Sequence, residues 1–402
     1  MEDIENKYIK LLLTKCLNFN KSSSLFINYN KVNKSFVTKV VKFAKEIGVI
    51  DIYLDEEDND VNLKKLEETS INEIEQDSYF DKSIWDEYAK KNASFLMLET
   101  EFPGLYDNVD PKIVAKARFI NRKTRPLFRE KETSYQIPWC IAVLPNEVWA
   151  KDIFKNEEDA YEKLFNVICK VCMLDTKDPI RSWDEYLIKA KSRAKKLTEL
   201  KIKTLTYKNN LGTNLTVKMP DNAIWVSAAD DKDMFVNMPS YEIFSSPDYR
   251  YTNGIVYSSK PLIYGGGKVD KFYIEFKDGK VINYDAKYGK EILKQIIESD
   301  EFTSYLGEVA LVNYDSPISN TKLIFGTTLF DENASCHLAL GDGFPDCIED
   351  GINQDRETLK EKGINHSQNH VDFMIGTSDL EIEAETKDGK KHIFKNGNFK
   401  DL

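Results

Sequence analysis

The four histidines of this 402-residue chain stand at positions 337, 366, 370 and 392, and a neutral imidazole is the commonest protein ligand for metals of borderline hardness. His370-Val-Asp372 opens an apolar run through Phe373, Met374 and Ile375. On a strand, residues i and i+2 project from one face, so an imidazole and a carboxylate would point together. Burying that carboxylate is costly unless a hydrogen-bonded histidine or a divalent ion compensates it. His337 is embedded in a similar run from Leu329 to Gly341. Glu308 interrupts the buried-strand pattern Tyr305–Val312, with Gly307 beside it allowing close backbone approach. Glu242 lies between turn signals in Asn237–Pro247. Singly, each has a plainer reading as a satisfied core histidine or an ion-paired carboxylate. Together they offer two imidazoles and three carboxylates, a mixed set suited to Zn, Co or Mn and larger than one catalytic ion needs. Two ions about 3.5–4 Å apart can hold a hydroxide between them, polarise a carbonyl and anchor a free amine.

The elements that must position these residues lie in a stretch of strand texture. Residues 201–218 and 268–286 alternate apolar and polar, with a hairpin turn at Lys277-Asp-Gly-Lys280, and Leu380–Phe394 repeats the device around Asp388-Gly389. Upstream the texture differs. Residues 24–54 read as a β-α-β unit: Leu25-Phe-Ile27, a helix with Phe36, Val37, Val40, Val41 and Ala44 on one face, a stop at Gly48, then Val49–Leu54. Helices are expected near 157–172 and near 183–200, the latter opened by a capping box at Ser182-Trp-Asp-Glu185. The fold expected is therefore an N-terminal doubly wound α/β domain, residues 1–197, and a C-terminal mixed α+β domain, residues 198–402. No Gly-x-Gly-x-x-Gly follows the first strand, which argues against a dinucleotide site. Gly265-Gly-Gly-Lys268 lacks the rest of a phosphate loop and reads as a tight turn, and Asp55–Asp60 as a solvated acidic loop.

Composition narrows the function classes. Fifty-six Lys and Arg against 67 Asp and Glu leave a net charge of −11, which excludes a nucleic-acid polyanion as main partner. The acidic start and an apolar run Ile9–Leu13 broken by Lys10 offer neither a leader nor a membrane span, so a cytoplasmic protein is expected. Six cysteines are too sparse for a disulfide scaffold, and Cys172 of the Cys169-x-x-Cys172 pair falls on a helical apolar face as a core residue.

Four long stretches resemble the metal-dependent aminopeptidases of the aminopeptidase T, II and S type, the thermophilic metalloproteases. They are Asn237–Asp248, Leu306–Val312 with Ser316-Pro-Ile318, Thr328–Gly341, and His370–Gly376, with weaker similarity at Trp139, Trp149-Ala150 and Leu211–Thr216. The resemblance implies a C-terminal metallopeptidase domain with a dinuclear site. Its metal ligands would be Glu242, Glu308, His337, His370 and Asp372, with Glu308 also the catalytic carboxylate beside the attacking water. It further implies two divalent ions per chain (Zn, Co, Mn or Mg), a homodimer, and removal of N-terminal residues from peptides with a free N-terminus. One position departs: the family's Ala-Tyr-Pro is Gly343-Phe344-Pro345 here, so a phenol that could donate to a developing oxyanion is missing. That departure keeps open a rival reading, a weakly active or inactive metal-binding homologue acting as a peptide-binding scaffold.

Overall fold

A computed structural model describes residues 2–19, 24–155, 157–227, 234–265 and 267–402. The chain divides into two compact units, Met1–Glu185 with Ala229–Pro239 and Tyr186–Ala228 with Ser240–Leu402. The helix Pro179–Glu199 contains the point where the first passes into the second.

The first unit is built on a parallel five-stranded sheet in the order Asp51–Glu57, Ser24–Asn30, Ser94–Glu99, Trp139–Val143, Asn237–Met238. Its strands Ser24–Asn30 and Ser94–Glu99 are buried on both faces, as a doubly wound sheet requires. Phe26, Phe95, Trp85, Tyr88 and Phe128 form an aromatic core on one side. The helix Lys34–Glu46 buries Phe36, Val37, Val40 and Ala44, while Val41 is only half buried. The acidic run is not a solvated loop: Asp55 and Glu57 end the strand Asp51–Glu57, and Asp55 Oδ2 accepts from Trp85 Nε1 at 3.1 Å. The capping box is also absent. The helix begins a turn earlier at Pro179, where the missing N–H costs nothing, and Asp178 Oδ1 accepts the Arg181 N–H.

In the second unit a nine-stranded sheet and a five-stranded sheet enclose one core. The expected hairpins close at Lys277–Lys280 and Thr386–Gly389. Tyr264 pairs with Gly267 across the glycine-rich turn, whose Gly266 lies outside the described residues. The smaller sheet runs His370–Met374, His337–Gly341, Leu306–Leu311, Ile243–Ser245, Val226–Ser227, antiparallel throughout. One face carries Ile243, Val309, Leu311, Leu338, Leu340, Val371 and Phe373 into the core. All six cysteines are buried free thiols, and no helix among the described residues is long and apolar enough to cross a membrane.

Candidate metal centre

The opposite face of the smaller sheet holds the polar residues, and register explains how. His370 and Asp372 are two apart on one strand; Asp372 pairs with Ala339, which is two from His337 and pairs in turn with Glu308. Ala310 pairs with both His337 and Phe244, and Glu242 lies two residues before Phe244. These side chains therefore share one face. Ala310 and Ala339 are small enough to leave room between them.

Glu308 reaches that face only through a bulge. Leu306 pairs with Leu340 and points into the core, so strict alternation would send Glu308 to the core as well. The register shifts between Leu306 and Glu308, and the extra residue, Gly307, turns the carboxylate over. A Cβ on Gly307 would lie 2.1 Å from Asp342 O and 2.4 Å from Gly341 O, which only glycine avoids.

The five donors form two groups sharing one member: Glu242, Glu308 and His337, and Glu308, His370 and Asp372. His337 Nε2 is 3.2 Å from Glu242 Oε2 and 3.9 Å from Glu308 Oε1. His370 Nε2 is 3.0 Å from Glu308 Oε2 and 3.2 Å from Asp372 Oδ1. The two oxygens of Glu308 thus face different imidazoles. His337 is 1 %, Glu308 4 %, Glu242 8 % and Asp372 8 % exposed, so these charges have no water to rely on.

The far nitrogens settle which tautomer each ring adopts. His337 Nδ1 lies 3.0 Å from Glu332 O and 3.1 Å from Ser335 O, and His370 Nδ1 lies 2.8 Å from Asp342 O. Carbonyl oxygens only accept, so both Nδ1 atoms carry the proton and both Nε2 atoms are aimed at the carboxylates, the arrangement of metal-ligating histidines. Electrostatics agree. Burial pushes the Glu308 carboxyl up to about 7, and Asp372 adds to it while His370 and His337 oppose it. Burial works against protonating the two imidazoles, yet the surrounding carboxylates, Glu242 first for His337 and Asp372 first for His370, hold both well above the usual range. Burial would raise Asp372 too, but His370 outweighs it and holds it low. Asp372 Oδ1 is buried and has no well-aligned hydrogen bond among the described residues, with His370 Nε2 facing it at 3.2 Å. A divalent cation fits this donor set: it would replace the protons on the Nε2 atoms and satisfy that oxygen.

The remaining histidines lie elsewhere. His366 pairs with Asp342 at 3.0 Å and His392 faces Glu383 at 3.9 Å, both substantially exposed. Phe344 does stand at the centre: its ring centroid is 4.9 Å from that of His370 and 5.2 Å from Phe244, and its N–H donates to Ser246 Oγ. Three supporting residues escaped the sequence reading. Ser240 Oγ donates to Glu242 Oε1 at 3.3 Å, Asp342 supplies the carbonyl for His370, and Glu332 places a further buried carboxylate nearby, raised well above its usual range by burial and then by Glu242 and Asp372. Glu332 had a signal, since it is a second carboxylate in the apolar stretch around His337; a backbone carbonyl has none.

Residues 1–399 match the family described as thermophilic metalloprotease (M29). The chain is similar to aminopeptidase AmpS of Bacillus subtilis, 34% identical over 98% of each chain. It is likewise similar to aminopeptidase 2 of Geobacillus stearothermophilus, 34% identical over 98% of this chain and 97% of the relative. The solved structure of AmpT from Thermus thermophilus superposes with a TM-score of 0.89 at 25% identity over 99% of both chains.

Proposed function

Because the chain belongs to the thermophilic metalloprotease family, we propose that this peptidase is an aminopeptidase working through two divalent ions, Zn, Co, Mn or Mg, held by Glu242, Glu308, His337, His370 and Asp372. The observation that carries the reading is Glu308, whose two oxygens face His337 and His370 from between the two donor groups. Its substrates are peptides with a free N-terminus, as the names of the relatives suggest. Catalysis is assigned to the C-terminal domain, residues 198–402, which contains all five donors. We propose a homodimer, following the family resemblance, and a cytoplasmic location, for which the six free thiols speak.

Divalent ions bound there supply a Lewis acid for the scissile carbonyl and lower the pKa of the attacking water. The protein's own residues do the rest. Nδ1 bonds to Glu332, Ser335 and Asp342 carbonyls keep both imidazoles aimed, so no reorganisation is needed as charge develops. Glu308 is the carboxylate common to both groups, and we assign it, as the family resemblance implies, the role of the catalytic carboxylate beside the attacking water. The test compares a free and an N-acetylated form of one peptide: the free peptide should be cut from its N-terminus and the blocked one should resist. Efficient cleavage of the blocked form, or release from the C-terminus, would overturn the assignment.

One observation favours a second reading. Phe344 lies against His370 where the family carries tyrosine, so a donor to the developing oxyanion is lost there, at a typical cost of about 10²–10³ in rate. A protein that loads both ions yet turns over no peptide would be a metal-binding peptide scaffold.

A further inference from the structure

Asn333 is completely buried and stands between two of the five donors. Its Oδ1 accepts the backbone N–H of Tyr241, the residue before Glu242, at 2.5 Å. Its Nδ2 donates to Leu329 O at 3.0 Å and, more weakly, to Glu332 Oε1 at 3.4 Å. Ser316 Oγ donates to the Asn333 carbonyl. The preceding carbonyl, Glu332 O, is one of the two that take His337 Nδ1. One amide therefore ties the backbone under Glu242 to the turn that aims His337, and the tips of those two side chains meet at 3.2 Å.

We propose that Asn333 is a positioning residue that sets the separation of Glu242 and His337, and through it the affinity of their group for a divalent ion. The proposal rests on the two-ion reading above. An amide is suited to the task because it offers an acceptor and a donor from one rigid plane. Alanine offers neither, and it would remove the acceptor that the Tyr241 N–H now bonds. Once Glu242 is released from His337, the ion must draw the two together itself, and affinity falls. The other group, Glu308 with His370 and Asp372, takes its orientation from Asp342 and has no bond to Asn333.

The test titrates metal-stripped wild type, Asn333→Ala and Asn333→Asp with Co²⁺, following the visible bands of the bound ion to obtain each stepwise affinity. Wild type should show two steps. Asn333→Ala should weaken one step at least tenfold, within the ~10–100-fold range usual for supporting residues, and leave the other within about threefold. Asn333→Asp keeps an acceptor for the Tyr241 N–H but loses the donor to Leu329 O and Glu332 Oε1, so it should restore the weakened step in part, to at least about threefold tighter than the alanine variant. Unchanged affinities in Asn333→Ala, equal weakening of both steps, or an Asn333→Asp as weak as the alanine variant would each overturn the proposal. A single step in wild type would overturn the two-ion reading instead. Should the alanine variant not fold, Asn333→Ser, whose hydroxyl falls short of the Tyr241 N–H, replaces it with the same expectations.

Discussion

Gly307→Ala should disable the centre without touching a donor. The added Cβ would lie 2.1 Å from Asp342 O and 2.4 Å from Gly341 O, where C···O contacts normally stand at about 3.3–3.6 Å, so something must retreat by more than about 1 Å. If the Asp342 carbonyl yields, its bond to His370 Nδ1, now 2.8 Å, lengthens beyond hydrogen-bond reach and the ring loses its orienting partner. If the strand Leu306–Leu311 yields, Glu308 is carried away from both imidazoles. In either case metal affinity should fall by roughly 10–100-fold, accompanied by an overpacking cost of about 1–3 kcal/mol. Calorimetric metal titration gives the first quantity and chemical denaturation of the metal-free protein the second. A folded Gly307→Ala protein that binds metal like wild type would refute the argument, because no relaxation that keeps Glu308, His370 and the Asp342 carbonyl in place can absorb the clash.

Phe344→Tyr should raise kcat with little change in KM or metal content, since it adds a hydroxyl beside His370 with little change of shape; no gain would mean another group already serves the oxyanion. His370→Ala and Asp372→Ala should each lower metal content and activity together, whereas His392→Ala should leave both near wild type; equal losses would point to folding rather than ligation. Asp331 tests the linkage of charge to stability. Burial pushes its carboxyl up to about 6 against the N–H bonds of Phe325 and Gly326. The folded state then binds the proton more tightly than the unfolded one, whose pKa is about 3.9, so stability falls as pH rises from about 4 to about 6, by at most roughly 3 kcal/mol. Asp331→Asn should flatten that fall in urea denaturation of the metal-free protein; an identical slope in both would sink the idea.

The doubly wound unit, the hairpins and the five polar side chains that the structure brings together could be read from sequence because each rests on local pattern: alternation, an Asp-Gly turn, a charged residue inside an apolar run. What could not be read depends on pairing between distant segments. Asn237–Met238 joins the first sheet beside Trp139–Val143, and two residues of extended chain carry no mark of their partner. Gly307 was legible as a place of close approach, yet that it is a bulge, and that the bulge delivers Glu308 to the other face, follows only from the register with Leu340 and Ala339. The capping box failed because Ser182-Trp-Asp-Glu185 lies within a helix that Pro179 has already opened, and Pro179 was the stronger start signal. Asn333 and Asp342 act through backbone groups, which every residue possesses.

The alternation that gathers the donors also makes the centre a matter of odd and even chain length. Replacing Leu338 or Val371 by another apolar residue alters the core behind the sheet and leaves the direction of His337, His370 and Asp372 untouched. Deleting either residue would turn one end of its strand over and send a donor into hydrocarbon. A two-residue deletion would restore direction but move the donor by roughly 7 Å along the strand, too far to meet its partners. Drift along these strands can therefore proceed by substitution but not by change of length, unless, as at Gly307, a second irregularity restores the count.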